Sequence, residues 1–86
     1  MSRIYEVKVV KYLNKSMIDF DWQIPFKRRD GKVYFCDLYI KKDNLYVEIK
    51  GHWMQEISKR KWKWFHRKYP NSKLWDQKKL RSMGIL

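Results

Sequence analysis

Two runs of alternating apolar character, VYFCDLYI (33–40) and LYVEIK (45–50), are separated by only the four residues KKDN. Alternation with a period of two belongs to pleated strands, and so short a connection pairs them as an antiparallel hairpin. Whatever else the chain forms must cover the two faces of that hairpin. Yet each strand carries charge where a central strand of a small sheet would avoid it. Asp37 interrupts the first, and Glu48 and Lys50 share one face of the second, just before Gly51. The pairing brings Asp37 close to Glu48. A purely structural reading makes Asp37 and Lys50 a buried ion pair, but such pairs rarely stabilise more than apolar residues of the same size.

The remaining segments supply the cover. SRIYEVKVVKYLNK suits a helix from about Arg3 to Asn14, with Ser2 as N-cap. FDWQI (20–24) alternates and is expected to end at Pro25, and KRRDGK (27–32) holds the Asp-Gly pair of a hairpin turn. Residues 54 to 69 read as a second helix, stopped by Pro70-Asn71. KLWD (73–76) reads as a fourth strand, followed by a helical turn that ends at Gly84. The predicted order is α-β-β-β-α-β, an α/β fold with a mixed four-stranded sheet flanked by helices. A strand-helix-strand crossover makes the last two strands parallel.

On a helical wheel the first helix gathers Tyr5, Val9, Val10, Tyr12 and Leu13 into an apolar arc, with Lys8 and Lys11 opposite. Glu6 falls inside that arc. Its ionised form needs a cation, a metal or a donor there, unless it snorkels to an edge lysine. Glu6, Asp37 and Glu48 thus converge on one sheet, with Lys50 among them. Two carboxylates on adjacent strands can hold a divalent cation through oxygen ligands. Such an ion polarises a phosphodiester and lowers the pKa of an attacking water, while a nearby ammonium neutralises developing charge.

Composition names the kind of partner. Eighty-six residues make one domain, and 21 Lys and Arg against nine Asp and Glu give a net charge of +12. So large an excess self-repels unless it meets a polyanion, of which nucleic acid is the commonest. No stretch approaches the roughly 20 apolar residues of a membrane span. The N-terminus carries no apolar run of signal-peptide type, and the single Cys36 forms no internal disulfide or multi-cysteine zinc site. A cytoplasmic protein is expected, in a host cell if phage- or virus-encoded, with Met1 and the terminal GIL as natural ends. A homodimer would help so short a chain bury its core.

Asp37 followed eleven residues later by Glu48-Ile49-Lys50, on paired strands after a helix bearing Glu6, resembles the PD-(D/E)xK nuclease superfamily. The run EIKGHW (48–53) is similar to that of phage junction-resolving endonucleases of the endonuclease I group and related homing-type nucleases. The tail YPNSKLWDQKKLRSMGIL is similar to the ends of small phage nuclease domains. The resemblance spans nearly the whole chain and implies a minimal restriction-endonuclease-like core. It implies a metal-dependent endodeoxyribonuclease that nicks, resolves junctions or cuts by structure, acting on double-stranded or branched DNA. Asp37 and Glu48 would bind Mg²⁺ or Mn²⁺, with the main-chain carbonyl of Ile49. Lys50 would be the catalytic lysine, and Glu6 would act through a water. Where the family often has Pro before the aspartate, this chain has Cys36, a change to the backbone more than to the chemistry.

Around this site, Lys27, Arg28, Arg29 and Lys32 occupy the first hairpin, where a loop tip can reach a groove. On the second helix Met54, Ser58, Trp62, Phe65 and Tyr69 form a core face, with Ile57 and Trp64 at its edge. Lys59, Lys63 and Arg67 lie opposite, either solvated or tracking phosphates. His52 follows the catalytic strand and is a candidate phosphate contact, Trp53 is expected to cap an apolar wall, and His66 is expected to be solvated. Cys36 reads as a small buried hydrophobe. Two rivals remain: a non-catalytic nucleic-acid-binding module whose carboxylates are structural, and an interaction protein with an acidic partner.

Overall fold

The computed structural model describes residues 3–50 and 56–86, so His52 and Trp53 lie outside the described residues. The fold is α/β, and the described residues form three helices and a four-stranded mixed sheet. Helix α1 (Arg3–Lys15) leads to β1 (Phe20–Lys27), β2 (Val33–Ile40), a 3₁₀ turn (Lys41–Asp43) and β3 (Leu45–Ile49). Helix α2 (Glu56–Lys68), β4 (Ser72–Trp75) and α3 (Gln77–Ser82) complete it. The sheet runs in chain order, β1-β2-β3-β4. Its first two pairings are antiparallel and the last, reached through α2, is parallel.

Local chemistry accounts for the turns. Gly31, at φ +81°, follows Asp30, whose carboxylate accepts the Lys32 N–H at 3.0 Å, while the Gly31 N–H closes on the Arg28 carbonyl. This is a three-residue hairpin loop with a left-handed glycine. Asn44 takes the left-handed position (φ +47°) that ends the 3₁₀ turn, a conformation asparagine tolerates better than most residues. One expectation is corrected. Strand β1 does not stop at Pro25 but runs through it, with Pro25 opposite Phe35. Strand β1 is an edge of the sheet, where proline is tolerated because an N–H that points away from the partner strand makes no ladder bond.

Two apolar clusters hold the layers together. On one side of β3, Leu45, Val47 and Ile49 pack with Leu38, Ile40 and Trp75 under Val9 and Leu13 of α1 and Leu80 of α3. On the other, Tyr46 joins Ile24, Phe26, Tyr34 and Cys36 under Phe65, Trp62, Trp64 and Tyr69 of α2. Phe65 is the centre of the second cluster, stacked on Tyr34 at 4.8 Å and edge-on to Phe26 at 4.9 Å.

Strands β1 and β2 contribute to both clusters, and the way they do so shapes the site. Phe20 and Trp22 go with α1, whereas Ile24 and Phe26 go with α2; on β2, Cys36 and Leu38 divide in the same way. A regular strand would keep residues two apart on one face. The change of face falls at Gln23, whose φ of +58° is left-handed, and at Asp37, which lies opposite it in the register kept on either side.

Candidate active site

The pairing of β2 with β3 ends at Leu38↔Val47. One step further, where Asp37 and Glu48 would meet, the two side chains take over from the backbone ladder. The Asp37 N–H donates to Glu48 Oε1 at 3.2 Å, and the Ile49 N–H donates to Asp37 Oδ2 at 2.9 Å. Each carboxylate therefore satisfies a main-chain donor orphaned by the parting of the strands. The Cys36 thiol closes the same gap from the α2 side, 3.5 Å from the carbonyls of Leu38 and Val47. Strand β3 turns to β4 instead, where the Lys50 N–H donates to the Trp75 carbonyl.

Both carboxylates are buried, Asp37 at 6% exposure and Glu48 at 4%. Lys50 Nζ stands 3.3 Å from Glu48 Oε2, and Gln23 Nε2 donates to Asp37 Oδ1 at 3.4 Å. The ion pair is thus Lys50 with Glu48, not Lys50 with Asp37. One ammonium faces two carboxylates, and the charge balance appears in their acidities. Burial, and then the neighbouring Asp37, push the Glu48 carboxyl up to about 7, against the pull of Lys50. Burial also raises Asp37, opposed by the Ile49 N–H, Lys50 and Gln23 in that order.

Tyr34 was not singled out from the sequence, because its place in an apolar alternation reads as core. Its ring is in the α2 cluster, but its hydroxyl is buried near the Glu48 carboxylate with no hydrogen-bond partner in good geometry. Burial, followed by Glu48, holds the phenol far above its ordinary range. That hydroxyl interacts with the Glu48 carboxylate, and so close to two carboxylates it is also a donor for a water or a phosphate oxygen. Together with Val33 and Phe35, these groups line a cleft of about 300 Å³ whose other walls carry Arg28 and Lys61.

The donor set suits a hard divalent cation. Two adjacent carboxylates share one directly paired ammonium, and oxygen ligands are what Mg²⁺ and Mn²⁺ take. Asp37 and Glu48 would supply it, each through an oxygen not already bonded to a backbone N–H. Among the described residues no group of three His, Cys, Asp or Glu side chains forms a ready-made metal cage. Glu6 is half-buried in the first turn of α1 and does not line the cleft.

The other candidates divide between two surfaces. Arg28 lines the carboxylate cleft. Lys27, Arg28 and Arg29 also line an adjoining hollow with Trp64 and Lys68 of α2. Lys32 is exposed in the hairpin, and Lys59, Lys63 and Arg67 are exposed on α2 but line neither cleft. His66 is exposed, as expected, and it also hydrogen-bonds Ser72 Oγ through Nδ1 at 2.7 Å and stacks on Trp62. Cys36 is fully buried, its thiol pushed up to about 12 chiefly by burial, which excludes it as a nucleophile. No described helix is long and apolar enough to cross a membrane. The chain matches no family model, no curated protein and no solved structure.

Proposed function

We propose that the chain is a divalent-metal-dependent endodeoxyribonuclease of the PD-(D/E)xK type, built on a minimal restriction-endonuclease-like core and acting as a homodimer. The observation that carries this reading is the side-by-side burial of Asp37 and Glu48, with Lys50 on Glu48, at the floor of a cleft walled by cations. The α-β-β-β-α-β order and the parallel last pairing agree with that core.

Asp37 and Glu48 would hold Mg²⁺ or Mn²⁺, with the Ile49 carbonyl as a further ligand. When bound, the ion polarises a phosphodiester and promotes ionisation of an attacking water. The chain's own groups do the rest. Lys50 orients the water and offsets the negative charge that builds on phosphorus. The Tyr34 hydroxyl is placed to donate to a phosphate oxygen or to that water. As the new P–O bond forms, one bridging P–O bond breaks. The water's proton passes to a basic group in the cleft, and the departing oxygen collects a proton from solvent.

One observation favours the rival. Asp37 and Glu48 each hold a backbone N–H, and Lys50 pairs with Glu48, as a structural ion pair in a binding module would. Incubation with supercoiled plasmid and with a four-way DNA junction separates the two readings. The nuclease cuts at least one substrate with Mg²⁺ or Mn²⁺ and neither with EDTA. Tight DNA binding with no cutting under any of these ions would leave the binding module.

A further inference from the structure

We infer that nucleic-acid backbone is held along one particular stripe of α2, Lys61–Trp64–Lys68, together with Arg28 of the first hairpin, and that the more strongly charged stripe Lys59–Lys63–Arg67 is not the binding face. The inference rests on the nucleic-acid part of the proposed function, and not on catalysis.

Three observations carry it. The first is convergence: residues from two elements distant in sequence meet in one hollow of about 520 Å³, lined by Lys27, Arg28, Arg29, Trp64 and Lys68. The second is that its cations are positioned. The Arg28 guanidinium sits 5.5 Å and the Lys68 ammonium 5.4 Å from the centroid of the Trp64 ring. Cation–π contact fixes both side chains in place, which lowers the entropy lost when they grip an anion. Asp30 pairs with Arg28 at 3.4 Å, but that pair is partly exposed and salt-screened, so a phosphate competes with it readily.

The third observation is continuity. Arg28 lines both this hollow and the carboxylate cleft, and Lys61 lines the cleft from the same helix. Residues 61, 64 and 68 recur at the three- and four-residue spacing of one helical face. Lys61 and Lys68 are seven residues apart, roughly 10 Å along the axis, which matches about three nucleotides of rise along one strand. A strand gripped by Arg28 and Lys68 over Trp64 is thereby led past Lys61 to the buried carboxylates. With two cations already held over the Trp64 ring, that ring serves to seat phosphate-binding groups. Lys59, Lys63 and Arg67 are exposed on another side of the helix and border neither cavity.

The test compares two double variants that remove the same charge from the same helix, Lys61→Ala/Lys68→Ala and Lys59→Ala/Lys63→Ala. Binding of a fluorescein-labelled DNA duplex in EDTA is followed by anisotropy across a series of salt concentrations, with helicity checked by circular dichroism. The first pair is expected to weaken binding at least tenfold and to flatten the log–log salt slope by about two, one for each lost contact. The second should change affinity no more than about twofold. Trp64→Leu, which keeps every charge, should weaken binding several-fold. Equal losses from the two pairs, or a larger loss from the second, overturn the stripe, as does wild-type protein that does not bind the duplex. Asymmetry without wild-type cleavage leaves the stripe and removes the nuclease; cleavage without asymmetry does the reverse.

Discussion

At the scale of single residues, the site is a contest between desolvation and charge pairing. Glu48 is held by Lys50 and by the Asp37 N–H, but burial and the second carboxylate outweigh them, and its pKa is about 7 against an ordinary 4.5. The sign of the consequence follows directly. A folded-state pKa above the unfolded one means that the native protein binds the extra proton in between. This group's contribution is therefore complete below pH 4.5 and is lost as the pH rises toward 7. In EDTA, stability should fall by on the order of 1–3 kcal/mol across that window, and the loss should shrink in Glu48→Gln. Urea midpoints at a series of pH values measure it, and stability rising through the window would contradict the assignment. Cys36 poses the opposite question. Its buried thiol only fills space and caps two carbonyls, so Cys36→Ala should cost about 1 kcal/mol of stability and leave DNA cleavage within twofold.

At the scale of elements, the parting of β2 from β3 and the change of face in β1 are one structural event. Gln23 absorbs it with a left-handed backbone, a conformation that costs a non-glycine residue on the order of 1 kcal/mol. Gln23→Gly and Gln23→Ala both remove the contact to Asp37, so the difference between them isolates the backbone. The glycine variant should be the more stable by about 1 kcal/mol in denaturant unfolding. Equal stability would mean that Gln23 is not left-handed in solution. The central hairpin, the turns and the helix faces were legible in the sequence, because alternation and helical spacing report which side is apolar. So were the pairing of Asp37 with Glu48 and the place of Lys50, since a four-residue connection sets the register. The parting of the strands was not legible. It depends on side chains replacing ladder bonds, which no periodicity records, and Gln23 and Tyr34 were missed with it. Nor could a helical wheel choose between the two basic stripes on α2, because the choice depends on where the first hairpin lies against Trp64.

At the scale of the molecule, an acidic floor inside a basic body is the arrangement to explain. A net charge of +12 favours a polyanionic partner, yet the two buried carboxylates would repel a phosphate brought to the cleft. In the proposed nuclease a divalent cation between them would reconcile these forces. Glu48→Gln tests that proposal most directly, because the amide oxygen can still accept the Asp37 N–H while the negative charge is gone. The measurement is the rate of DNA cleavage in Mg²⁺ by wild type and Glu48→Gln, matched for folding and for affinity to DNA. Wild type should cut, and the variant should be slower by on the order of a hundredfold or more. A variant that cuts within a few-fold of wild type, or a wild type that binds DNA and never cuts it, would contradict the proposal.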